Sequence, residues 1–120
     1  MTRLELWMSA ALGAASLVAC GGAPKPETRL ASSEGAIRGA QEAGAQGVPE
    51  ATLHLKLAQE QRERAIQLVN SGDNHRAAML LARAEADAEL AVALARAAHA
   101  QAEAQKAAEG VQDLERKANQ

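Results

Sequence analysis

Apolar residues along most of this chain recur at spacings of three and four, the period of helices with one buried face. Leu30, Ser33, Ile37, Ala40 and Gly44 share a face, so a first helix is expected over 28–45, with Thr28 or Ser32/Ser33 as its cap. Ala51, Leu55, Ala58, Ala65, Leu68 and Val69 mark a second helix over 50–70, its face widened by Leu53 and Leu57. Lys56, Gln59, Glu60, Glu63 and Gln67 hold its opposite side. Ala77, Leu81, Ala84, Ala88, Ala91, Ala95, Ala98 and Ala102 then alternate by four and three along a third helix, 75–117, with Leu80, Leu90 and Leu94 beside that seam.

The breaks between these segments have recognisable chemistry. In Gly47-Val48-Pro49-Glu50, Gly47 is expected to end the first helix, Pro49 suits the first position of the next, and Glu50 suits the positive end of its dipole. In Ser71-Gly72-Asp73-Asn74, Gly72 can take positive φ, and Ser71, Asp73 or Asn74 can cap the following helix. Of the 17 Leu, Ile, Val and Met residues after Cys20, 13 lie between Val48 and Leu94, which places the core in a hairpin of the second and third helices. The fold class is therefore all-α: three helices built on an antiparallel hairpin, the long Ala-rich third helix extending beyond it. Folding at 71–74 sets Ala51 beside about Leu94, so a tail from Arg96 to Gln120 outruns the hairpin, and the start of the first helix returns to the 71–74 tip. If helical, the tail reaches about 30 Å.

Residues 1–19 have a different pattern. Leu6 to Val18 is apolar, interrupted only by Ser9, Gly13 and Ser16, and then stops at Gly21-Gly22. That is too short to span a bilayer and fits a secretory signal peptide. Gly21 to Glu27, with Pro24 and Pro26, reads as an extended tether. The chain thus divides into a signal at 1–19, a tether at 20–27, a helical domain at 28–105 and a helical or frayed tail at 106–120.

Composition narrows the function. Trp7 is the only aromatic residue, so a chain beginning at Cys20 has none to stack on bases or sugars or to anchor an interface. Without Arg3 and Glu5, the 13 basic and 15 acidic residues become 12 and 14, interspersed and with no basic block. Nucleic acid is not an expected partner. His54, His75 and His99 have no second ligand at metal spacing on the same face and are expected at solvated or flanking positions, so no metal is expected. Glu85, Asp87 and Glu89, two apart, point to different faces. Paired about the loop, Asp87 falls near Ala58, where Arg62 one turn on could reach it as a structural contact. Glu60–Arg64 and Asp113–Lys117 are local pairs four apart. No nucleophile–base pair or phosphate loop occurs, so neither an enzyme nor a cofactor is expected.

One stretch commits to a chemistry. Leu17-Val18-Ala19-Cys20 resembles the bacterial lipobox, with Leu at −3, small residues before the cut and Cys at +1. The resemblance implies cleavage between Ala19 and Cys20 and acylation of the Cys20 thiol. Cys20 is the only cysteine, so no intramolecular disulfide competes for it. By the enterobacterial sorting rule, Gly21 rather than Asp after the cysteine favours the outer over the inner membrane. The expected location is then the cell envelope, lipid-anchored and facing the periplasm, with the tail leading away from the membrane. The chain ends in Lys117-Ala118-Asn119-Gln120, unlike the terminal Lys that joins the major outer-membrane lipoprotein of enterobacteria to peptidoglycan, and that linkage is not expected.

A further resemblance covers most of 28–105. Ala36-Ile37, Ala40, Gly44-Ala45, Pro49-Glu50-Ala51, Leu55, Ala58, Ala65, Gly72-Asp73, Ala77 and the Ala84–Asp87-Ala88–Ala91 run are, as an ordered set, similar to the bacterial domain of unknown function 4398. That resemblance implies a small helical envelope protein, often a lipoprotein, and no site residue. The expected role is structural or interactive, through Ala-rich helices that contact an envelope component or a second copy along the tail's Ala seam. The alternative is a monomeric helical-hairpin module binding a periplasmic protein or peptidoglycan.

Overall fold

The structure is a computed structural model that describes residues 22–120; Leu17, Val18, Ala19 and Cys20 lie outside the described residues. Three helices account for nearly all of it: α1 (Glu27–Glu42), α2 (Pro49–Asn70) and α3 (Asn74–Ala118), with a short 3-10 turn at Ala45–Gly47. There is no strand among the described residues. At 1.5 Å per residue the 45 residues of α3 give a rod of roughly 67 Å.

The expected seams are the buried ones. Ala51, Leu55, Ala58 and Ala65 of α2 meet Ala77, Leu81, Ala84, Ala88, Ala91 and Ala95 of α3, and Ser33 and Ala40 of α1 close the third side. Ala65, Ala77 and Leu81 cluster at one end, while Ala51 and Leu55 cluster with Ala91 and Ala95 at the other, so α2 and α3 are antiparallel. Leu30 packs on the first cluster and Ile37 on the second, so α1 also runs against α2. An alanine contributes one methyl to a core, about 0.8 kcal/mol per buried carbon, so close backbone approach has to supply what large side chains do not.

Several boundaries and faces differ from expectation. α1 ends at Glu42 rather than 45, and Gly44, not Gly47, takes the left-handed turn, at φ 78°. The extra turn lets Ala45 bury against Ala51, and Thr52 Oγ1 donates to the Ala45 carbonyl at 2.9 Å. Neither Thr28 nor Ser32/Ser33 caps α1: Pro26 is the N-cap, with no side-chain bond, and Ser33 is buried with its hydroxyl on the Leu30 carbonyl. Leu53 does not widen the α2 face and stays 56% exposed, because α1 packs on the other flank of α2.

The hairpin tip follows its sequence. Gly72 turns at φ 83°, Gly72 N–H donates to Val69 and Asp73 N–H to Leu68, closing α2 in a Schellman motif. Pro49 opens α2, and the Asp73 carboxylate accepts from Arg76 N–H at 3.3 Å to cap α3.

Candidate functional site

The tether meets the hairpin at its tip. Residues 22–26 are non-helical, and Asn74 Nδ2 donates to the Ala23 carbonyl at 2.7 Å. Ala23 to Arg29 line a shallow cleft with Asn74, His75 and Ala78. Residues 23–29 are therefore held at the 71–74 end, while α3 leads to the opposite end. Every residue from His99 to Gln120 is exposed.

A polar belt crosses the middle of the bundle and sets the axial positions of all three helices. Asp87 on α3 is its hub: Oδ1 lies 3.0 Å from His54 Nδ1, and Oδ2 accepts from Gln61 Nε2 at 2.8 Å. A carboxylate only accepts, which assigns the proton to Nδ1. His54 and Gln61 are seven apart, one below and one above the buried Ala58, so both reach the same carboxylate. Ser32 Oγ donates to Glu85 Oε2 at 3.1 Å, tying α1 to α3. Arg62 Nη2 reaches Glu34 at 2.8 Å, tying α2 to α1.

The belt corrects the expected Asp87–Arg62 contact. The level was right, but Arg62 lies about 100° round the helix from Gln61, which turns it to α1 and Glu34. His54, expected as a solvated or flanking residue, is at the flank of α2 and is paired. Asp113 pairs with Arg116, three residues on, rather than with Lys117.

A His–Asp pair invites comparison with hydrolase sites, which also need a nucleophile against the imidazole. The hydroxyls of Ser32, Ser33, Thr52 and Ser71 donate to Glu85 or to backbone carbonyls, none to His54. The Asp87 contacts act as a clamp between helices. Among the described residues no group of three His, Cys, Asp or Glu side chains is arranged to hold a metal ion, and no helix is long and apolar enough to cross a membrane.

No family model, no curated protein and no solved structure matches the chain.

Proposed function

We propose that the chain is a lipid-anchored lipoprotein of the bacterial cell envelope, facing the periplasm, non-enzymatic, and working through contacts of its helices. The observation that carries this reading is Leu17-Val18-Ala19-Cys20 at the end of a short apolar run, in a chain with one cysteine. One acyl chain holds a protein only marginally and two hold it stably, so the reading requires more than one chain on Cys20. The outer membrane is the favoured surface because Gly21 follows the cysteine.

The described residues suit such a role. Ala23 is held at the tip and a bare helix leaves from the other end, so on this reading an anchor at Cys20 and a contact surface on the tail belong to opposite ends. A groove between α1 and α2, lined by Ile37 and Ile66 beside the paired Glu34 and Arg62, favours a second reading: a hairpin module taking a periplasmic protein or peptidoglycan ligand there.

Fractionation of cells making the full chain, beside Cys20→Ala, tests the anchor. The parent chain is expected with membranes, and the variant is expected to lose acyl-dependent retention. A parent chain found in the soluble fraction overturns the proposal.

A further inference from the structure

α3 has two apolar faces. One, from Ala77 to Ala95, is buried against α1 and α2. The other begins two residues round from it, about 200° away at 3.6 residues per turn. Every seventh residue from Leu90 to Ala118 is apolar, and so is every seventh from Ala86 to Leu114. All ten of these positions are exposed. The two series interleave at spacings of three and four, the a and d positions of a coiled-coil seam.

Small residues are not the whole of this stripe. Five large apolar residues are exposed among the described residues; Leu90, Val111 and Leu114 lie on it, and Met79 lies one heptad before Ala86. The buried seam, in contrast, turns polar beyond Ala102, at Gln105, Glu109 and Gln112. The tail's continuous apolar surface is therefore the outer stripe rather than the Ala98–Ala102 seam. A helix of some twenty residues with no neighbour is marginal in water, so pairing stabilises the tail as well as covering the stripe.

We infer that this stripe is covered by the same stripe of a second copy, running antiparallel, with Ala97 of one copy facing Ala100 of the other. Size selects this arrangement. In that register Leu90 faces Ala107, Val111 faces Ala86 and Met79 faces Ala118, a large residue against a small one each time. Leu114 lies on the stem of Arg83. A parallel pair instead stacks Leu90 on Leu90 and Val111 on Val111, with alanine-only layers between, which leaves gaps at any one helix separation.

Charge selects it independently. Arg96 and Glu103 both occupy g positions, and g faces g in an antiparallel pair. The register sets Arg96 beside the other copy's Glu103, twice by symmetry. Arg96 has no acidic residue three or four positions away in its own helix to compete. A shift of one heptad one way sets Glu103 on Glu103 and Asp87 beside Glu115, with only Glu89 beside Lys117 in its favour. The other way sets Arg96 on Arg96 and Glu89 on Glu103. A parallel pair sets Arg96 beside Gln101 and forms no ion pair.

The paired rods overlap from Met79 to Ala118, about 60 Å, and each tail lies along the outer face of the other copy's hairpin. The two tethers leave from opposite ends, roughly 75 Å apart. A lone anchored copy points its tail away from the bilayer; a pair with both anchors in one leaflet lies along it. The inference names a second copy as the partner within the proposed reading and does not depend on the lipid.

Disulfide trapping tests it on the full chain carrying Cys20→Ala in mild detergent, which leaves an introduced thiol as the only one. Leu90→Cys and Ala107→Cys chains, oxidised together, are expected to form a mixed dimer, because facing positions bring Cβ atoms to bonding range. Each oxidised alone is expected to stay monomeric. Self-linking of Leu90→Cys, or no link in the mixture, overturns the arrangement. In sedimentation, Arg96→Glu is expected to weaken association at least tenfold, and adding Glu103→Arg to the same chain to restore it. Association indifferent to Arg96→Glu also overturns it. Since these chains lack Cys20, failure here is distinct from failure of the anchor.

Discussion

His54 Nδ1 lies 3.0 Å from Asp87 Oδ1, 33 positions along the chain and across the α2–α3 contact. Both side chains are 23% exposed, so the pair is only partly screened by water. Gln61 occupies the other oxygen, so loss of Asp87 strips partners from two side chains at once. Asp87→Ala is expected to lower stability by about 1–2 kcal/mol, since half-buried donors left without acceptors cost more than the bond itself contributes. Urea unfolding followed by circular dichroism measures it. No change in midpoint would mean that the belt holds nothing together.

The alanine seam makes an opposite kind of prediction. Ala88, on the buried seam of α3, has no exposed surface. Ala88→Leu adds three carbons where there is no room and is expected to destabilise by about 1–3 kcal/mol. Ala102, exposed on the same seam about two turns beyond Ala95, is expected to accept Leu within about 0.5 kcal/mol. Equal effects at the two sites would contradict the close packing described for the bundle.

Two glycines on neighbouring turns respond with opposite signs. At Gly44, φ is 78° and an added Cβ would lie 3.1 Å from His99 Nε2. Gly44→Ala therefore combines left-handed strain with a steric push and is expected to cost about 1–2 kcal/mol. His99→Ala in the same chain is expected to recover the steric part only. Gly39 lies inside α1 with nothing within 4 Å of an added Cβ. Gly39→Ala is expected to stabilise by about 0.4–1 kcal/mol, by restricting the unfolded chain. Thermal melts of the variants separate the two signs.

These same residues show what was legible in the sequence. The buried seams from Ala51 to Ala65 and from Ala77 to Ala95 follow from spacing alone, because burial on a helix repeats with its turn. The tip was legible too, since Gly72 and Asp73 supply the positive φ and the cap that a tight helix–helix turn requires. The end of α1 was not. Gly44 and Gly47 are equally able to stop a helix, and the choice was made by tertiary contacts, the burial of Ala45 and the Thr52 hydroxyl. Asp87 was placed at the right level, but its partner depended on where α1 lies: α1 draws Arg62 to Glu34 and leaves Gln61 and His54 to Asp87. A pairing of two helices about one loop carries no information on the third.

The anchor is the part of the reading on which compartment and orientation both depend, and it concerns one sulfur atom. Intact mass of the full-length gene product, purified from membranes, tests it most directly. The expected species begins at Cys20 and is heavier than Cys20–Gln120 by more than one acyl chain, and that added mass is absent from Cys20→Ala. A chain that retains residues 1–19, or one that begins at Cys20 with no added mass, would contradict the lipid-anchored account.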